Sequence, residues 1–231
     1  MSIDARVRRT QARALLDAVD RAHCGDVPPA LLERARRSPV GRRHLARAAL
    51  KAAPEVFAPE QQRWHSWQVD EPWLQWSQAR LQMFALELGA IALGPALRML
   101  VERSAVLRAR EALGIEVWRS ALAVNPWPMA SPEGIRHMGE AVLQRCGRNA
   151  QRLHDEVYRR GQIEFIAHAE RQHELLAARL RLAYAQPPAA PCKAEGWLPA
   201  SAVPALLAEQ QSLDAPAESI EVPVVTEGTP L

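Results

Sequence analysis

Residues 81–98 read LQMFALELGAIALGPALR, and this stretch decides the fold class. Together with an upstream leucine, its apolar side chains recur three, four or seven residues apart: Leu74, Leu81, Phe84, Leu88 and Ile91. This spacing is typical of one apolar face of an amphipathic helix. We predict that the helix is capped by Asp70, carries Pro72 in its first turn, and is interrupted at Gly94-Pro95.

Helical patterns continue on both sides of this stretch. Short helices are predicted within residues 1–52, and two more over 104–113 and 115–124, separated by Gly114 in the position expected after a helix C-terminus. A further start signal, Ser131-Pro132-Glu133, opens a helical region that runs to about residue 185, with breaks possible at Gly147 and Gly161. No strand pattern exceeds a few residues. The prediction is an all-α fold: one compact domain of short and medium helices.

Composition divides the chain into four regions. Residues 1–52 form an Arg-rich helical region, residues 53–70 a Trp- and Pro-containing connector, and residues 71–185 the helical core. Residues 186–231 are rich in proline and acidic, and we expect them to be disordered apart from a short helix near 202–210. The acids give the last 38 residues a charge of −6, against +3 for the whole chain.

The first residues of the sequence, its apolar segments and its cysteines together indicate the cellular compartment. No apolar segment follows the first residues in the manner of a signal peptide, and none approaches the roughly 18 residues needed to span a membrane. The three cysteines, Cys24, Cys146 and Cys192, fit neither a CxxC motif nor a zinc spacing. We therefore expect a protein of the reducing cytoplasm, with Cys146 buried and inert.

The sequence contains no recognisable catalytic or ligand-binding pattern. His168 and His173 are five residues apart, so they would not share a helix face as zinc ligands do, and we expect them to face solvent. There is no nucleophile motif, and the 11 glycines form no phosphate-binding loop. The sequence therefore predicts no enzyme activity, no cofactor and no metal.

Tryptophans and arginines are the candidates for contacts with other molecules. Four tryptophans are close together in sequence: Trp64, Trp67, Trp73 and Trp76. Tryptophan is a favoured interface anchor, but it also fills gaps between short helices, so both alternatives stay open. The first region is dense in arginine: Arg34, Arg36, Arg37, Arg42, Arg43 and Arg47. Nucleic-acid binding is the alternative function that these residues allow, although acids are interleaved with them and no nucleic-acid-binding motif is present.

One pattern goes beyond composition. Residues 81–98, followed by Val101, then Leu113-Gly114-Ile115-Glu116, Ala121-Leu122 and Pro126-Trp127-Pro128, resemble the central segment of the SctK family. These are the YscK- and PscK-type proteins of bacterial type III secretion systems. Several residues of this pattern can also be interpreted structurally, without reference to the family. They are Leu88, Gly89, Gly94, Arg98, Gly114, Pro126, Trp127 and Pro128. The glycines allow close helix crossing or a bend, and the two prolines hold Trp127 in a stiff loop that presents or buries its ring.

The resemblance implies a function in protein assembly. SctK-like proteins are non-enzymatic accessory subunits of the cytosolic sorting platform, peripheral to the inner membrane. They link the cytoplasmic domain of the inner-membrane ring protein SctD to the SctQ pods, which connect through SctL to the SctN ATPase. The expected partners are therefore an SctQ-type pod protein and an SctD-type ring protein, with no small-molecule substrate. Such a function requires two protein-binding surfaces and no cofactor.

Overall fold

A computed structural model of the chain describes residues 16–57, 71–129, 131–185 and 196–214. Within these ranges the chain consists of helices joined by turns and contains no strand, which confirms the all-α prediction. The α-helices are α1 Pro29–Arg37, α2 Pro39–Ala52, α3 Pro54–Phe57, α4 Gln78–Ala92, α5 Gly94–Leu97, α6 Arg103–Leu113, α7 Ile115–Ala123, α8 Glu133–Cys146, α9 Ala150–Gln172, α10 Glu174–Arg181 and α11 Ala202–Asp214. Two short 3-10 helices cover Arg21–His23 and Pro72–Gln75.

The fold is organised around the crossing of α4 and α9. These helices run antiparallel, since Phe84 contacts Phe165 while Gly89 lies against Val157. A Cβ atom on Gly89 would stand 2.9 Å from the amide nitrogen of Gly161, and one on Gly161 would stand 2.8 Å from that of Gly89. Both distances are too short for a real Cβ contact. The two backbones can approach this closely only because both residues are glycine.

Helix α4 is buried on two faces, not on one as its predicted amphipathic pattern implied. Phe84, Leu88 and Ile91 belong to the larger hydrophobic core, which also contains α9, α10 and α11. Leu86 and Ala90 belong to a second core formed with α6, α7 and α8. The helix can enter both cores because its composition is apolar nearly all the way round.

The start of this helix also differs from the prediction. Asp70 lies outside the described residues, and the prolyl segment after it forms a 3-10 helix that ends before Trp76. Trp76 is extended, and α4 begins at Gln78 after Ser77, whose hydroxyl accepts a hydrogen bond from the amide of Arg80 at 3.3 Å. Ser77 is therefore the N-cap of α4, because its hydroxyl satisfies an amide of the first turn.

The predicted break points behave in two ways. Gly114 separates α6 from α7 with φ 78°, and Gly147 ends α8 with φ 56°, as expected of glycine. Gly161, by contrast, lies in the middle of α9 and interrupts nothing. Its purpose is the close contact with α4 rather than a turn.

The N-terminal region packs onto the remainder through a third hydrophobic cluster. Leu45 and Val56 lie in this cluster together with Leu182, which follows α10. The amide of Asp20 donates to the carbonyl of Leu182 at 2.6 Å, and a ring nitrogen of His23 lies 2.9 Å from the carbonyl of Tyr184. The Arg-rich segment is thus continuous with the helical core where the structure describes it.

The C-terminal segment also belongs to the packed structure over residues 196–214. Helix α11 confirms the short helix predicted near 202–210, and it packs on the larger core through Val203, Leu206 and Leu207. The predicted tail boundary at residue 186 is therefore corrected for this stretch, because apolar side chains on one face of α11 are buried. The disorder predicted for residues 186–195 and 215–231 lies outside the described residues.

Candidate partner-binding surfaces

Two of the four candidate tryptophans lie in the core. Trp73 is 1% exposed and Trp76 is 6% exposed. Trp73 packs edge to face on Phe165, and Trp76 does the same on Phe84, each with ring centroids 5.3 Å apart. The packing alternative therefore holds for both, and the interface alternative does not hold for Trp73. Trp64 and Trp67 lie outside the described residues.

Arg98 and Gly94 fix α5 against the end of α7. The Arg98 guanidinium donates to the carbonyls of Ala121, Leu122 and Val124 at 3.3, 3.2 and 2.6 Å. These carbonyls have no partner further along the helix, so the arginine acts as a C-terminal cap and its charge suits the helix dipole. A Cβ atom on Gly94 would stand 2.8 Å from the Ala121 carbonyl oxygen. Gly94 and Arg98 of the resemblance motif thus hold α5 against the C-terminal end of α7.

The other residues of the motif are also structural. Leu88 is fully buried, and Trp127 is 7% exposed within the larger core, so the loop between Pro126 and Pro128 buries its ring. Gly114 holds the tight turn between α6 and α7. The candidate binding surfaces are two grooves elsewhere on the molecule.

A first groove of about 520 Å³ lies between α4, α7 and α11. Trp76, Phe84 and Val117 line it with apolar surface, and Met83, 55% exposed, stands beside them. Its polar lining consists of both charge signs and their partners: Arg80, Glu87, Glu116, Arg119, Ser120, Glu209 and Gln210. Several of these groups are already paired with one another. We name this the mixed-charge groove.

Pairing within the mixed-charge groove ties its three helices together. The Ser120 hydroxyl donates to Glu87 at 2.6 Å, and Gln210 donates to the other Glu87 oxygen at 3.4 Å. Arg80 stacks over the Trp76 ring with 4.1 Å from its guanidinium carbon to the ring centroid. A cation over a tryptophan face is stabilised by the ring quadrupole. The groove is therefore preformed.

A second groove of about 300 Å³ lies between α6, α8 and the start of α9. Its apolar lining comes from Leu100, Ala105, Ala109, Leu143 and Leu153. The charged residues that line it are Arg108 and Arg148, with no carboxylate among the lining residues. We name this the arginine groove.

The two grooves share no lining residue. They use different members of the α6–α7 pair, since α7 lines the mixed-charge groove and α6 lines the arginine groove. Sequence reasoning missed both, because each combines residues from three helices whose packing no local pattern reveals.

The arginines of the N-terminal region divide into structural and exposed sets. Arg36 donates to the Val19 carbonyl at 2.9 Å and pairs with Glu33, while Arg42 donates to the carbonyls that end α1. Arg34, Arg37, Arg43 and Arg47 are exposed. Helices α1 and α2 therefore do not present all six arginines as one continuous surface that could bind phosphates.

Three titratable side chains of the interior, His168, Cys24 and Cys146, have pKa values that favour their uncharged forms. His168 is 3% exposed, contrary to the solvent-facing position predicted for it, and burial followed by the charge of Arg171 lowers its pKa to about 4. His173 caps α10 through its ring nitrogen, 3.2 Å from the Leu175 amide. Burial raises the pKa of the thiols of Cys24 and Cys146, so both stay protonated. This is the environment predicted for Cys146.

Across the described ranges, no three side chains of the His, Cys, Asp or Glu type come together as metal ligands would. Nor does any helix there combine the length and the apolar composition that a membrane crossing requires.

Comparisons with known proteins add no relative. The sequence matches no protein-family model, and no curated protein or solved structure is significantly similar to it.

Proposed function

We propose that this chain is a non-enzymatic adaptor of the cytosolic sorting platform of a bacterial type III secretion system. It would link the cytoplasmic domain of an SctD-type ring protein to an SctQ-type pod protein, and would lie in the cytoplasm at the inner membrane. The partners come from the resemblance of residues 81–128 to the SctK family. The structural observation that supports a linking function is the presence of two separate grooves.

Two grooves matter because an adaptor holds two proteins at once. A single surface would force the partners to compete, whereas grooves without a shared lining residue allow both to bind. Both grooves combine apolar floor with polar edges, which is the usual composition of a non-obligate protein interface. The residues of the resemblance motif support this arrangement indirectly, because Gly89, Gly94 and Arg98 set the relative positions of α4, α5, α7 and α9.

The test is binding to each partner separately and then to both. The full chain is purified with an SctQ-type pod protein and with the cytoplasmic domain of an SctD-type ring protein from the same source. We expect the immobilised chain to retain each partner at moderate salt. We also expect the complex with the first partner to retain the second partner when it is added. Failure to retain either protein would remove the proposal.

Nucleic-acid binding is separated from this function by a salt titration. An Arg-dependent contact with phosphates loses affinity steeply between roughly 50 and 200 mM salt. Retention of both proteins at moderate salt, with no shift of a labelled duplex or single strand, is the result expected for the adaptor. Tight, salt-sensitive binding of the nucleic acid without protein binding would favour the alternative.

A further inference from the structure

The arginine groove has a charge pattern that specifies its occupant. Arg108 is half-buried on α6, and Arg148 is exposed at the turn between α8 and α9. Arg108 donates to the Ser104 hydroxyl at 3.3 Å, which leaves its charge uncompensated. Among the described residues no carboxylate lies within ion-pair distance of either guanidinium.

Two arginines on neighbouring helices, Arg119 and Arg136, are paired with carboxylates. Arg119 on α7 pairs with Glu116 at 3.1 Å. Arg136 on α8 pairs with Glu133 at 3.2 Å and with Glu140 at 2.8 Å. The two arginines of the groove differ from Arg119 and Arg136 in having no carboxylate within ion-pair distance. A bound carboxylate would supply the missing charge in the bidentate geometry that guanidinium groups favour.

The floor between the arginines is apolar and the groove is small. Leu100 and Leu143 are half-buried there, so part of their apolar surface faces the opening. About 300 Å³ lies at the lower end of the range, roughly 300–1,000 Å³, that small-molecule pockets occupy. Besides the two arginines, Gln144 is a polar residue in the lining. The dimensions suit one or two bulky side chains of a protein partner.

We propose that the arginine groove binds an acidic protein segment in which a bulky apolar side chain is flanked by carboxylates. The apolar side chain covers Leu100, Ala105 and Leu143, and the carboxylates meet Arg108 and Arg148. This inference rests on the proposed function, because it assigns one of the two adaptor contacts to this groove and predicts that the corresponding partner presents such a segment. The other partner binds elsewhere.

The test compares charge reversal with charge conservation. The variant R108E/R148E should weaken binding of one of the two partners, SctQ-type or SctD-type, by at least about tenfold and leave the other unchanged. The variant R108K/R148K keeps the charge and should retain most of that binding. The matched control R43E/R47E changes the net charge equally on the exposed face of α2 and should bind both partners as the unaltered chain does.

A second variant tests the floor without changing charge. Ala105 is half-buried on the lining side of α6, so Ala105→Trp should fill the groove and weaken the same partner as R108E/R148E. Melting temperature and circular dichroism establish that each variant is folded. Raising the salt concentration should weaken that partner's binding to the unaltered chain more than to R108E/R148E.

The outcomes separate the two proposals. If the unaltered chain binds neither partner, the adaptor function fails and this inference fails with it. If it binds both and R108E/R148E also binds both, the adaptor function stands and the inference about the groove is wrong. R108E/R148E could instead keep both partners but lose self-association or nucleic-acid binding. That result would assign the groove to another occupant and would likewise overturn the inference.

Discussion

Gly89 on α4 and Gly161 on α9 face each other so closely that a methyl group on either would overlap the backbone of the other helix. The carbonyl oxygen of Val157 blocks the Gly89 side, and that of Ala85 blocks the Gly161 side. Backbone atoms cannot move aside as a flexible side chain can. The helix pair at the centre of the fold therefore depends on both glycines.

Replacing either glycine by alanine should destabilise the protein. In an open helix, alanine would be favoured over glycine by up to about 1 kcal/mol, but here overpacking should outweigh that gain and cost about 1–3 kcal/mol or more. Urea denaturation of Gly89→Ala and Gly161→Ala measures the free energy of unfolding. Gly134→Ala is the matched control, because Gly134 lies in α8 with open space at its Cβ position, and it should be neutral or stabilising. Unchanged stability of Gly161→Ala would show that the helices do not cross this closely.

Trp127 should contribute to stability rather than to partner binding. Its ring is 7% exposed in the larger core, so Trp127→Ala should cost about 3–5 kcal/mol of unfolding free energy. Thermal and urea unfolding provide the measurement. Met129, which is 87% exposed just beyond the loop, gives a control, and Met129→Ala should leave the midpoint almost unchanged. A Trp127→Ala protein with the original melting temperature and impaired partner binding would place the ring at an interface instead.

Glu164 should hold the C-terminal segment on the core. Its buried carboxylate accepts hydrogen bonds from the amides of Trp197 and Leu198 at 2.7 and 3.3 Å, and from Arg160, whose guanidinium stacks on the Trp197 ring. Glu164→Gln should weaken this arrangement, since charge-assisted hydrogen bonds are stronger than neutral ones. Hydrogen exchange in residues 197–207 should accelerate by about tenfold or more relative to the unaltered chain.

The control for that variant is Glu170→Gln on the same helix. Glu170 pairs with Arg181 of α10 rather than with the amides of Trp197 and Leu198. In Glu170→Gln, hydrogen exchange in residues 197–207 should be the same as in the unaltered chain. Equal exchange rates in Glu164→Gln and the unaltered chain would mean that burial of α11 alone holds the segment.

His168 should make the protein less stable in mild acid. Its pKa is about 4 in the folded chain and near 6.5 when unfolded, so between these values the unfolded chain binds more protons. Stability should therefore fall as the pH decreases from about 6.5 to about 4, by up to about 3 kcal/mol from this residue. Urea denaturation at several pH values measures it, and His168→Gln should show a shallower loss over that window.

His137→Gln provides the comparison, because His137 is exposed on α8 beside Glu133 and Glu140. That variant should keep the full loss of stability between pH 6.5 and pH 4. If His168→Gln and the unaltered chain show the same pH dependence, the buried imidazole is not the group responsible.

Local sequence patterns predicted the helices well and their assembly less well. The apolar spacing around Leu88 and the turn at Gly114 lie in short stretches, so propensity and capping reveal them. Whether Gly161 would break α9 or allow a close contact depends on α4, which is about seventy residues away in sequence. For Trp76 the core and interface alternatives stay open from sequence, because its partners in the core, such as Phe84, cannot be identified from spacing alone.

The candidate surfaces could not be predicted from local sequence patterns either, because each combines residues that are distant in sequence. Arg108 and Arg148 are forty residues apart, and nothing in either neighbourhood indicates a shared groove. The short helix near 202–210 could be predicted from its pattern, but its burial against the larger core through Leu206 and Leu207 could not, because the core helices it contacts are distant in sequence.

Formation of a ternary complex tests the central claim most directly. The chain is mixed with an SctQ-type pod protein and the cytoplasmic domain of an SctD-type ring protein, and the masses of the complexes are measured by size-exclusion chromatography with light scattering. An adaptor with two separate surfaces predicts one species containing all three proteins, with no competition between the partners. Two mutually exclusive binary complexes, or no complex at all, would contradict it.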